Sequence, residues 1–148
     1  MARDVVEMVQ EYLSDDPAKW AKLASNIQWR RLELLLLKSL KGGEDKTSTP
    51  MLWRNLGVIH FHQRKYDRAQ QELKKANEFN PRDARTHFYL ARLLSHQAEI
   101  CQRKGLKKKA RGLAKQAATE MELARKFAPN NPTYHQDLKQ LMQQEQGK

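Results

Sequence analysis

A chain of 148 residues, of which 39 % are hydrophobic and 30 % charged, suits one surface-rich helical domain with a buried core. The single Cys101 excludes an internal disulfide framework and a cysteine-based zinc site, and we expect a cytoplasmic location. The net charge of +11 favours an acidic partner, whether a protein segment, a nucleic acid or an anionic membrane surface, without choosing among them.

The N-terminal residues 3–13 are predicted to form a short amphipathic helix. Their three acidic residues and the lack of an apolar core do not match a secretory segment. The helix is expected to end before Asp16 and Pro17, which suit the cap and first position of the next helix. The longest apolar run, Leu34–Leu37, is too short to span a bilayer, so no transmembrane segment is expected.

Residues 17–41 leave two interpretations open. Four residues spaced three, one and three apart share one helical face: Trp20, Leu23, Ala24 and Ile27. This face favours the first helix of a degenerate repeat, with a second helix from Leu32 to Leu40. No turn is evident between the two, so one continuous helix is the alternative. A polar loop is expected over residues 41–49.

The central stretch, from Pro50 to Asp83, predicts two helices over residues 50–63 and 66–79. One face of the first carries Trp53, Leu56, Gly57 and His60, and a matching stripe on the second carries Ala69, Leu73 and Ala76. Gly57 costs about 1 kcal/mol in a helix interior relative to Ala. We therefore expect that its small size lets the second helix approach closely. Pro81 then ends the second helix.

These residues, in the order W-x2-L-G-x2-Y followed by A-x3-F, A and P, resemble the tetratricopeptide repeat. His60 stands where an aromatic residue is usual, and Leu73 stands where Phe or Tyr is usual. The resemblance implies an all-α fold, a short solenoid of antiparallel helical hairpins. It also implies a non-catalytic protein–protein interaction module, such as an adaptor, an assembly factor or a chaperone-like scaffold.

A further hairpin is predicted over residues 84–131, with helices over 83–103 and 106–128 and a turn near Gly105. It is longer than the repeat by 14 residues, which we interpret as about two added turns in each helix. An apolar stripe continues through the added part: Leu106, Ala110, Leu113, Ala117, Met121 and Ala124. A capping helix is expected over residues 132–148, so that the whole chain forms one domain.

The resemblance implies a concave groove lined by the first helix of each hairpin. Mapped onto this sequence, the lining residues are Arg54, Asn55, Val58, Phe61 and His62, then Arg85, Phe88, Tyr89, Arg92 and His96. Arginines beside aromatic residues are typical of binding hot spots, so an acidic or mixed peptide is the expected ligand. The alternative is that Phe61, Phe88 and Tyr89 pack against neighbouring helices. The family's carboxylate clamp for chaperone tails is not matched, because Val58 stands where it needs Asn.

The turn of the elongated hairpin is strongly basic. Between Ile100 and Thr119 the chain has seven cations and no acid: Arg103, Lys104, Lys107, Lys108, Lys109, Arg111 and Lys115. One interpretation is an anion-binding tip for a nucleic acid, an acidic partner or an anionic surface. The alternative is an ordinary solvated helix surface. The tip contains no aromatic residue, which argues against base stacking.

No catalytic constellation is found in the sequence. The five histidines form no H-x-x-x-H pair, and neither a phosphate-binding glycine loop nor a nucleophile elbow occurs. We therefore expect no enzyme activity, no metal and no cofactor. A short solenoid also exposes apolar ends, so a homodimer is compatible with the sequence.

Overall fold

The computed structural model describes residues 26–41, 49–132, 134–136 and 139. Across these ranges the backbone forms helices and turns and contains no strand, which confirms the predicted all-α class. The chain divides into two compact units, Met1–Pro81 and Arg82–Lys148. The predictions for residues 1–25, for most of the loop after Lys41 and for the last residues lie outside the described ranges.

The first unit contains helices α1 (Asn26–Lys41), α2 (Thr49–His62) and α3 (Tyr66–Phe79). The predicted bounds of α2 and α3 are confirmed to within one residue. A helix start at Leu32 is wrong, because α1 is continuous from Asn26 and has neither glycine nor proline to break it. The described core of the unit is aliphatic, with Leu36, Leu52, Leu56, Ile59 and Leu73 fully buried.

Gly57 sets the distance between α2 and α3. A Cβ atom placed on it would lie 2.6 Å from Leu73 Cγ and 3.3 Å from the carbonyl oxygen of Ala69. The first distance is shorter than real Cβ contacts and the second is tighter than most of them, so Leu73 on α3 would have to shift to accept even alanine. The prediction that a small residue permits this close approach is confirmed.

The turn from α2 to α3 is a Schellman motif. The N–H of Lys65 donates to the carbonyl of His60 (2.8 Å), and the N–H of Arg64 donates to that of Phe61 (3.0 Å). Arg64 occupies the left-handed position with φ 64°, where glycine is usual. The chain therefore turns tightly without a glycine.

The second unit is built on α4 (Ala84–Arg103) and α5 (Lys107–Phe127), which confirms the elongated hairpin. Asp83 caps α4, since its carboxylate accepts from the N–H of Arg85 (3.2 Å) and from the hydroxyl of Thr86 (2.9 Å). Small residues of α5 form most of its buried face: Ala110, Ala114, Ala117, Ala118, Met121 and Ala124.

The elongated hairpin closes with the same Schellman bonds as the first. The N–H of Leu106 donates to the carbonyl of Cys101 (2.9 Å), and the N–H of Gly105 donates to that of Gln102 (3.1 Å). Here a glycine takes the left-handed position, with φ 77°. Leu106 does not belong to the buried stripe as predicted: it is 49 % exposed, because it precedes the first turn of α5.

After α5 the described residues 132, 134–136 and 139 are helical, as predicted for the capping helix. Tyr134 is fully buried within this segment. No described helix is both long enough and apolar enough to cross a membrane.

Candidate partner-binding surfaces

The α2 residues expected to line a groove divide into two groups. Arg54, Asn55 and Val58 are buried, whereas Phe61 and His62 are half-buried. Every residue from 54 to 60 is buried, so this part of α2 has no open face, which is typical of a central helix. The expectation that Arg54, Asn55 and Val58 lie open to a partner is therefore corrected.

The same division occurs on α4. Phe88 and Tyr89 are buried, and Arg85, Arg92 and His96 are half-buried. The alternative of interior packing fits the two buried rings better than an open groove does.

Tyr134 packs against Phe88 in the core of the second unit. The two rings lie with their centroids 4.9 Å apart, and Tyr89 meets Phe88 edge to face at 5.1 Å. The guanidinium of Arg92 lies 5.6 Å from the centroid of the Phe88 ring, in cation–π geometry. The aromatic surface that the sequence assigns to a ligand is thus occupied within the second unit itself.

The basic tip is exposed throughout. Residues 102–109 are all exposed, as are Arg111 and Lys115. Arg103 pairs with Glu99 at 3.9 Å, an exposed contact worth a few tenths of a kcal/mol. Within the described ranges the other six cations have no carboxylate partner. The structure therefore brings the predicted tip residues together as a largely uncompensated positive surface.

Further along α5 the charges are balanced. Arg125 forms an ion pair with Glu122, and this hydrogen bond raises the pKa of the guanidinium above its ordinary value. The uncompensated charge is therefore a property of the tip and not of the whole helix.

Two buried histidines have partners that sequence reasoning missed. His60 Nε2 lies 2.8 Å from Glu33 Oε2 on α1, and its Nδ1 contacts the carboxylate of Glu72 on α3. Lys65 Nζ lies 3.6 Å from the same Glu33 oxygen. His60 of α2 thereby contacts both α1 and α3 through its two ring nitrogens.

His87 has a simpler arrangement in the second unit. Its Nδ1 lies 2.6 Å from Glu120 Oε2 on α5, and its ring lies 5.7 Å from that of Phe127. Both histidines stand at repeat positions where an aromatic residue is usual. A histidine in place of the usual aromatic residue was the one signal in the sequence that a polar partner faces each of these two positions.

The described residues show no group of three or more His, Cys, Asp or Glu side chains that could hold a metal. Antiparallel two-helix hairpins, with small residues where the helices cross, define a helical repeat protein. Residues 50–83 match the model of the tetratricopeptide repeat family, so the hairpin of α2 and α3 is a repeat of that type. No curated protein shows significant similarity to the chain. Repeats of this family are generally non-catalytic and act as protein–protein interaction modules.

Proposed function

We propose that the chain is an adaptor, assembly factor or scaffold that binds an acidic or mixed segment of a partner protein. The proposal depends on the charge of the first helix of each hairpin, α2 and α4. Apart from Arg103 at the tip, the basic residues of these helices that are not buried are His62, Arg85, Arg92 and His96, and the single acid is Glu99. A segment rich in Asp and Glu complements such helices, which favours encounter and correct register.

Each unit offers its own half-buried contact residues: Phe61 and His62 on α2, and Arg85, Arg92 and His96 on α4. They replace the larger sequence-derived set, because the buried members cannot reach a partner while the fold is intact. Arginine and aromatic side chains dominate binding energy where water is excluded, and half-burial brings these residues close to that condition.

The test starts from affinity capture with nuclease-treated extract and continues with the isolated acidic segment of whichever protein is retained. Replacing Arg85 and Arg92 together by Gln is expected to weaken its binding at least tenfold, measured by calorimetry. A control with Arg68→Gln and Lys74→Gln removes the same charge from exposed positions of α3, which is the second helix of the first hairpin. Equal affinities of the two double variants would refute the proposed surface.

The tip supports a second candidate function, the binding of an anionic surface or a nucleic acid. Its specific support is the group of six exposed cations without a described carboxylate partner. Such binding should weaken steeply with salt, because each phosphate contact releases a condensed counterion. If replacing Lys107, Lys108 and Lys109 by Gln changes no anion binding at low salt, the tip has no such function.

A further inference from the structure

We infer that the tip docks on an anionic lipid bilayer, with its cations on the headgroups and Leu106 inserted at the apex. This inference rests on the anion binding proposed for the tip and identifies the anionic surface. It depends on the shape of the tip, on its exposed leucine and on its charge.

The cations surround the end of the hairpin. Lys107, Lys108 and Lys109 are consecutive in the first turn of α5, so their side chains leave the helix about 100° apart. Arg103 and Lys104 add charge from the end of α4. A linear ligand along one flank of α5 would miss part of this ring, whereas a plane across the apex meets all of it.

Leu106 lies between the cations of α4 and those of α5 in the chain. It is 49 % exposed, and the Schellman bonds donated by the N–H groups of Gly105 and Leu106 hold its backbone in place. A shallow depression of about 620 Å³ is lined by Gly105, Leu106 and the three lysines that follow. An apolar side chain within a cationic collar suits the bilayer interface, where anionic headgroups overlie the acyl chains.

The other anionic partners fit this tip less well. A single-stranded nucleic acid would find no aromatic side chain for its bases, and a duplex would leave Leu106 in water. An acidic peptide would engage one side of the ring. Only the bilayer offers a plane of negative charge above an apolar layer.

The experiment uses the full chain and sedimentation with vesicles of phosphatidylcholine, with or without about 30 % phosphatidylserine. At about 0.1 M NaCl the chain is expected to bind only the anionic vesicles, since screening there still permits attraction over about 10 Å. Replacing Lys107, Lys108 and Lys109 by Gln should lower the partition coefficient on the order of a hundredfold.

The matched control removes the same charge elsewhere, through Arg68→Gln, Lys74→Gln and Lys139→Gln at exposed positions. It should reduce vesicle binding by less than about threefold, because these cations are not at the tip. Circular dichroism establishes that both triple variants keep their helices. Equal losses in the two variants, or equal binding to both vesicle types, would overturn the inference.

Leu106→Ser distinguishes binding to a bilayer from binding to other anions, because it removes the apolar side chain and keeps every cation of the tip. It should lower anionic vesicle binding about tenfold and leave binding to a short DNA duplex and to a polyglutamate peptide unchanged. Tip-dependent binding to duplex or peptide without vesicle binding would overturn the lipid assignment and preserve the anion-binding function. No tip-dependent binding to any of the three probes would overturn both.

Discussion

The hairpin of α2 and α3 and the hairpin of α4 and α5 close their turns with the same pair of backbone bonds but differ in length. The helices have 14 residues each in the first hairpin and 20 and 21 in the second. In the first, α2 is buried over residues 54–60, while the second ends in eight consecutive exposed residues, 102–109. The repeat pattern thus accounts for packing, and the added length accounts for the exposed charge.

The hairpins also differ in how they hold a buried histidine. His60 contacts two carboxylates whose side chains are 11 % and 14 % exposed, whereas His87 contacts one that is 26 % exposed. Desolvated charges depend on their partners more strongly than exposed ones. The first hairpin should therefore be the more sensitive to loss of its histidine.

The largest expected effect comes from His60→Ala. This change leaves Glu33 and Glu72 largely buried without their shared partner, and it should lower the free energy of unfolding by about 3–5 kcal/mol. His87→Ala removes a hydrogen-bond partner only from Glu120, which is more exposed. It should lower the free energy of unfolding by about 1–3 kcal/mol. Urea denaturation followed by circular dichroism measures both values. A loss from His87→Ala as large as that from His60→Ala would remove the distinction between the hairpins.

The next effect concerns the crossing of α2 and α3. Gly57→Ala should destabilise the chain by about 1–3 kcal/mol, because the new methyl group collides with Leu73 and outweighs the better helix propensity of alanine. Gly112 of α5 is the control, since a Cβ placed there meets nothing within 4 Å. Gly112→Ala should stabilise the chain by about 0.5–1 kcal/mol, and the same urea denaturation measures both changes. If Gly57→Ala stabilised the chain as Gly112→Ala does, α2 and α3 would tolerate a wider separation than the one observed.

The smallest effects compare the two Schellman turns. Gly105→Ala should cost about 1 kcal/mol, because alanine is strained at positive φ. Arg64→Gly relieves that strain but adds freedom to the unfolded chain, so a gain of about 0.5 kcal/mol is expected. Urea denaturation of each variant beside the unchanged chain measures the two differences in the free energy of unfolding. Destabilisation by Arg64→Gly would mean that the Arg64 side chain contributes more than its backbone strain costs.

The helices of both hairpins were predictable because their signals are local. Pro81 and Asp83 mark the boundary between hairpins, Gly105 marks the turn, and the alanine stripe of α5 extends through the added turns. Each signal acts within one or two helical turns of its own position. This is why the bounds of α2 to α5 agree with the sequence to within one residue.

The partner-binding surface was predictable only in part, because accessibility depends on residues far away in the sequence. Phe88 is covered by Tyr134, which no pattern around Phe88 indicates. Likewise, the contact of His60 with Glu33 joins residues 27 positions apart. The tip was predictable, since a run of cations at a hairpin turn has no neighbouring helix to bury it.

The length of the second hairpin also has an electrostatic consequence. Six or seven extra residues at 1.5 Å each move its end outward by about 10 Å, which is close to the Debye length at 0.1 M salt. Cations at that distance are largely screened from the carboxylates nearer the base of their own hairpin. The two added turns therefore serve as an insulating spacer, so that the charge at the apex acts mainly on whatever approaches from outside.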